Sequence, residues 1–427
     1  MKIMSKYIAS LLLALLISTP FLSGCLEMND EWQSEPLSSR ADPDSIANPT
    51  GEEQMAWESN LFALDMYRDL AASEGNLFFS PWSLSSALSM TYEGARGQTA
   101  EEMHTVLHLS GNESERRQSF SLLDQRINAN DSGYILSTAN ALWVDEDYSL
   151  TAEYRDLVEE TYHARSTNLN FQEESETARA VINSWVEERT QGKIIDLIPA
   201  GYIHSLTRLV LTNAIFFKGT WKSEFDRELT EKEDFFTAEG QTVAVPMMRK
   251  IGEESGFLYQ ERGDLQVLQM PYQGENISLL ILLPEKRDLD SLERSISAER
   301  LAQWRDGLEE RQVDVYIPRF KFSAKYFLNE NLASMGMPTV FSETADLSGL
   351  SARKGVFISD VIHQAYIDVN EEGTLAAAAT AVCVAESAVP EEKIPVFRAD
   401  HPFIFMITDD QTGLILFMGR FSDPEEG

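Results

Sequence analysis

The chain is 427 residues long, 43% hydrophobic, and carries 69 acidic against 35 basic side chains, a formal charge of −34. So large a negative excess repels a polyanion, which excludes nucleic acid as a partner. Two cysteines are too few for a disulfide framework, so stability has to come from a core; the length is above the usual size of one domain but permits a single large fold.

At the N-terminus, Lys2 and Lys6 flank the start of an apolar run from Ile8 to Ile17, and Leu22-Ser23-Gly24-Cys25 follows. The run is too short, and Pro20 too close, for a membrane span. Residues 1–24 read as a signal peptide with a lipobox, after which Cys25 is lipidated and becomes the mature N-terminus. Cys383 is then left without an intrachain partner. Residues 25–56 contain Pro36, Pro43 and Pro49 and eight acids against Arg40 as the one base, the composition of a solvated acidic linker. A flexible chain of that size spans on the order of 30 Å. The sequence therefore predicts an extracytoplasmic protein, tethered to the membrane through lipid on Cys25 or secreted, with one folded domain over 57–427.

In that domain Trp57, Leu61, Leu64 and Met66 recur near helical spacing up to Leu70, and Gly75 precedes a strand, Leu77-Phe78-Phe79. Ser80-Pro81 supplies the cap and first-turn proline of a helix that runs to Gly94. A strand over Ser137–Val144, a helix over Tyr154–His163 and a helix from Ile182 to the neighbourhood of Gly192 follow. Leu209–Trp221 is nearly continuous in apolar residues, as expected for the middle of a sheet covered on both faces. Val245–Met248, Leu265–Tyr272, Ile277–Pro284 and Val313–Phe320 are strands with proline stops, and Leu332–Met337 belongs to a late helix. His401–Ile407 and Gly413–Phe421, separated by a polar turn, predict a buried hairpin.

Between the late helix and that hairpin lies a segment with two readings. The alanines of Gly373-Thr374-Leu375-Ala376-Ala377-Ala378-Ala379-Thr380-Ala381-Val382 favour helix on propensity, yet Thr374, Ala376, Ala378, Thr380, Val382 and Val384 form one face of a strand of small or β-branched side chains. The polar, proline-containing stretch from Ala385 to Lys393 then predicts an exposed loop. Enzyme signatures are absent: no G-x-S-x-G elbow, H-E-x-x-H, phosphate-binding glycine loop or C-x-x-C pair occurs. His104 and His108 have the i, i+4 spacing of a helical metal pair, but no acidic third ligand accompanies them, so neither a metal nor another cofactor is expected.

The order Glu371-Glu372-Gly373-Thr374, small-residue run, exposed loop, His401-Pro402-Phe403 and Phe417-Met418-Gly419-Arg420 resembles the C-terminal quarter of the serpins, a family of protease inhibitors. Asn76–Ser83 with Gly94–Met103, and Leu209–Trp221, resemble the same family, so the likeness runs from about Trp57 to Pro424. It implies an α+β serpin fold of three β-sheets with about eight or nine helices and an exposed reactive-centre loop, in a monomer that is not an enzyme.

By that resemblance a serine protease attacks the loop, forms an acyl-enzyme, and the cut loop inserts as a new central strand, carrying the protease with it. The loop hinge would be Glu371, Glu372, Gly373 and Thr374 with Ala376, Ala377, Ala378, Ala379 and Thr380. Family spacing places the reactive bond at Ser387-Ala388, or one residue earlier after Glu386. Small residues there suit an elastase-like or subtilisin-like protease, and the lack of arginine or lysine from 375 to 390 disfavours a trypsin-like one. A polar cluster of Ser80, Ser83, Asn213 and His363 would sit where the central sheet parts, and Trp221 where insertion starts. The alternative is a non-inhibitory serpin acting as a binding or carrier module.

Overall fold

A computed structural model describes residues 51–128, 133–252, 255–374 and 394–424. The expected signal peptide, Cys25, most of the linker, Ala376–Thr380, Cys383, Ser387 and Ala388 lie outside the described residues. Helix α1 (Gly51–Leu70) begins inside the stretch expected to be linker. Glu52 and Glu53 stand in its first turn, where the helix dipole favours carboxylates, and Met55 and Ala56 are already buried. Residues 51–56, expected to be linker, are thus the first part of a helix.

Strand β1 (Leu77–Phe79) leads into α2 (Pro81–Gly94), where the Ser80 hydroxyl accepts the Ser83 N–H and Pro81 fills the first helical position. Then come α3 (Gly97–Val106), α4 (Glu113–Ile127), β2 (Tyr134–Asp145), α5 (Ala152–Tyr162), β3 (Arg165–Leu169), α6 (Ser175–Arg189) and β4 (Leu209–Thr220). A run of strands follows: β5 (Glu231–Phe236), β6 (Thr242–Lys250), β7 (Gly256–Arg262), β8 (Leu265–Pro271) and β9 (Ile277–Pro284). Helices α7 (Leu289–Ser295) and α8 (Ala298–Asp306) precede β10 (Glu309–Gln312), β11 (Asp314–Pro318), β12 (Phe320–Phe327) and α9 (Asn329–Met335). The chain ends in β13 (Ile358–Asn370), β14 (Gly373–Thr374), β15 (Val396–Arg398), β16 (Phe403–Asp409) and β17 (Ile415–Phe421), the last two forming the expected antiparallel hairpin.

These strands make three sheets. One has seven strands in the order β1-β17-β16-β9-β8-β7-β10, one has four in the order β15-β11-β6-β5, and one has six in the order β12-β13-β14-β4-β2-β3. Rings from the first and last meet in a shared core, with Phe78 stacked on Phe417 at 5.3 Å and edge-on to Phe322 at 6.0 Å. The opposite face of the six-stranded sheet is covered by α6, whose Ala178, Ile182 and Val186 join Ala139, Trp143, Val210, Ala214 and Ile362 in a second cluster. Burial on both faces is why β4 is apolar at nearly every position. Among the described residues no helix is long and apolar enough to cross a membrane.

Candidate functional site

In the six-stranded sheet, β13 and β4 run parallel and pair from Ile358 with Leu209 up to Tyr366 with Phe216. Above that point they diverge, and β14 lies between them, antiparallel to both: Gly373 opposes Asn370 and Thr220, and Thr374 opposes Val369 and Gly219. The seam between β13 and β4 is thus already entered at its upper end. Gly373 has φ +148°, and a Cβ there would overlap the Gly219 carbonyl oxygen, so glycine is required for the chain to turn in.

Thr374 is fully buried, and its hydroxyl is 2.8 Å from the Tyr272 phenol. Burial pushes that phenol far up, so it stays neutral and available for the bond. Trp221 stacks on Tyr272 at 4.5 Å, donates its indole N–H to the Asn370 carbonyl at 2.9 Å and its backbone N–H to the Glu372 carbonyl at 2.9 Å. Trp221 therefore stands against the turn from β13 into β14. The two glutamates of that turn are buried and paired: Glu371 accepts from the Thr230 hydroxyl at 2.9 Å and lies 3.7 Å from Arg319, and Glu372 is bonded to Arg227. An open cavity of about 540 Å³ adjoins them, lined by Arg227, Lys232, Arg319, Asp368 and Glu371 among others.

Lower in the seam, strand alternation turns Asn140 of β2, Asn213 of β4 and His363 of β13 toward the shared core, and register sets them side by side. The N-terminus of α2 abuts this row. His363 Nε2 accepts the Ser80 backbone N–H at 3.0 Å, which leaves the proton on Nδ1 to be donated to Asn213 Oδ1. The Asn213 amide donates to Ser83 Oγ at 2.6 Å and to Asn140 Oδ1, and the Ser80 hydroxyl donates to the Leu416 carbonyl at 2.6 Å. Complete burial holds the His363 imidazole down at about 3, so the ring is neutral. Among the described residues, the side-chain bond that joins β13 to β4 is His363 to Asn213. A strand entering the seam has to break it.

Ser80, Ser83, Asn213 and His363 are therefore brought together, with Trp221 at the opposite end of the open seam beside Glu371, Glu372, Gly373 and Thr374. Sequence reading missed Asn140 and the contact of Tyr272 with Thr374. Asn140 carried a usable signal, being a polar residue in the inward register of Leu142 and Val144 within an apolar strand. His104 and His108 do not form a pair: α3 stops at Val106, His108 has φ +52° and bonds Asp65 at 2.7 Å, and His104 lies against the Tyr92 ring. No group of metal-ligating side chains occurs among the described residues.

Comparison with known proteins bears on this arrangement. A family model described as serpin (serine protease inhibitor) matches residues 58–424. An uncharacterised serpin-like protein of Thermococcus kodakarensis is 41% identical over 420 residues, 95% of this chain and 97% of that protein. The human leukocyte elastase inhibitor is 40% identical over 385 residues, 87% of this chain and all of the inhibitor. Among solved structures, Serpin48 of the insect Tenebrio molitor, described as a highly specific serpin, superposes with a TM-score of 0.78 at 32% identity, covering 88% of this chain and 100% of its own. The three sheets and nine described helices match the serpin fold of those solved structures, and the chain belongs to the serpin family.

Proposed function

We propose that this chain inhibits serine proteases as a suicide substrate. The protease serine attacks the Ser387 carbonyl, the Ser387-Ala388 bond breaks, Ala388 leaves as a protonated amine, and an ester joins Ser387 to the enzyme. Residues after Thr374 then extend β14 down the seam. The observation that supports this reading best is the seating of Gly373 and Thr374 between β13 and β4, at the head of a stretch from Leu375 to Val384 without a charge or a proline. Below Gly219 the seam offers ten further positions on β4, Lys218 to Leu209, so the ester is drawn roughly 33 Å at about 3.3 Å per residue. The small residues on either side of the bond, and the elastase inhibitors among the relatives, favour an elastase-like or subtilisin-like target. The same reading keeps the molecule outside the cytoplasm, held at the membrane by lipid on Cys25 or released from it.

Two experiments test it. Incubation with an elastase or subtilisin is expected to give a covalent complex that survives detergent; loop cleavage without complex would move the chain to the non-inhibitory class. Thr374→Arg places a charge where a hydroxyl is fully buried, and is expected to convert inhibitor into substrate, cut at an undiminished rate but trapping less than about a tenth as much enzyme. Trapping at the wild-type level by that variant rules out insertion along this seam.

A further inference from the structure

We propose that the cleft between the first turns of α1 and the first turns of α4 binds a small zwitterion, an α-amino acid or a dipeptide. The two helices converge there: a Cβ on Gly51, the first residue of α1, would overlap the Ser119 hydroxyl of α4. Beside this contact opens a cavity of about 550 Å³, within the range of small-molecule sites. Its exposed rim includes Gln54, Ser110, Glu115 and Leu122, and its floor is made by the buried Met55, Glu58 and Arg116. Helical spacing builds the two walls, since residues 51, 54, 55 and 58 share one face of α1 and residues 115, 118, 119 and 122 share one face of α4.

Two charges on the floor lack counterparts. Glu58 is 5% exposed and accepts the Gln54 amide at 2.8 Å, the Ser110 backbone N–H at 3.3 Å and the Ser110 hydroxyl. All three donors are uncharged, and among the described residues no cationic side chain pairs with it. Arg116 is 8% exposed, and its Nε–H meets no acceptor. Its guanidinium lies 4.9 Å over the Tyr92 ring and 3.9 Å from Glu93, a carboxylate already held by Arg117 at 2.6 Å and by the Tyr162 hydroxyl at 2.8 Å. A buried carboxylate without a cation and a buried guanidinium with an idle N–H both cost stability until something meets them. A ligand that brings an ammonium to Glu58 and a carboxylate to Arg116 meets both at once, and Met55 and Leu122 give its side chain an apolar wall. A plain anion is repelled by Glu58 and Glu115, and a plain cation leaves Arg116 as it was; Glu52, also on the rim, is engaged by Arg126 at 3.1 Å. The cleft is built by elements outside the seam, so the proposal holds whether or not the chain traps proteases.

The test is isothermal titration of the full chain with L-leucine and with leucyl-glycine, each compared with its N-acetyl and its amide form. At least one of the two zwitterions is expected to fill a single site per chain at millimolar concentration and to raise the melting temperature. Each blocked form of it, lacking one charge, is expected to bind about tenfold or more weakly. Glu58→Gln is expected to lose the preference for a free ammonium and keep that for a free carboxylate. Gln54→Lys changes an exposed side chain that already bonds Glu58 and gives that carboxylate the cation the ligand would bring. It is expected to melt no lower than the wild type and to bind the zwitterion about tenfold more weakly; should Glu58→Gln melt early, this variant decides. No binding of either zwitterion by the wild type, equal binding of free and blocked forms, or wild-type affinity in Gln54→Lys overturns the proposal.

Discussion

His363 is the residue at which burial has the clearest consequence. Its imidazole takes a proton near 6.5 when solvated and near 3 in the fold. Between those values the unfolded chain binds more protons than the folded one, so this residue's share of stability is complete above pH 6.5 and declines as pH falls toward 3. Asp124, Asp360 and Asp410 act in the opposite direction. Burial raises each to about 6, which penalises the fold while they are ionised at neutral pH and relieves it as pH drops below 6. The histidine is isolated by difference. From pH 7 to 4.5 the wild type is expected to lose about 2–3 kcal/mol more than His363→Gln, two units below the solvated value at about 1.4 kcal/mol each. Urea unfolding at both pH values reads this directly, and parallel losses in the two proteins would show that His363 takes up its proton in the fold as readily as in the unfolded chain.

At the scale of elements, the seam is held by a row of side chains that belongs to three strands and one helix terminus. Asn140→Ala takes an acceptor from the Asn213 amide and a partner from the Ser83 hydroxyl. Leaving these groups short of bonds costs about 1–3 kcal/mol. Because the loss is local, amide exchange is expected to quicken along β4 and β13 while β8 and β9 of the seven-stranded sheet keep their protection; uniform quickening would mean the row has no special hold on the seam. The elements around the seam were legible because each had one strong cause. Ser80-Pro81 marked α2, two-sided burial marked β4, and length with a polar turn marked β16 and β17. The elements missed have weak local causes. Every residue of β10, Glu309–Gln312, is exposed, and β5 carries Glu231, Lys232, Glu233 and Asp234, so edge pairing rather than pattern makes them strands. The early start of α1 was hidden because Glu52 and Glu53 read equally as linker and as a helix first turn. Alternation marks Asn140 as facing inward, but not what it bonds: its partners lie on other strands, and register across a sheet is not written in one segment.

For the whole molecule, the proposed insertion would add one ladder to the fold. In the described residues β13 and β4 share a single parallel ladder below β14. Extending β14 replaces it with two antiparallel ladders, a net gain on the order of ten hydrogen bonds at about 1 kcal/mol each. That is comparable to the 5–15 kcal/mol that typically separates a folded domain from its unfolded chain; on the proposed mechanism it would be withheld while the loop is intact, and the uncut state would be one of kinetic rather than greatest stability. Cutting the loop and isolating the nicked protein is therefore expected to raise the melting temperature by roughly 10–15 °C or more, from about 10 kcal/mol spread over the unfolding entropy of a domain of this size. Thr374→Arg, nicked in the same way, is expected to melt where it did before, since the charge keeps β14 from extending. Unchanged melting of the nicked wild type would mean that the small-residue run never enters the sheet, and the seam, the hinge glycine and the polar row would then be features of packing alone.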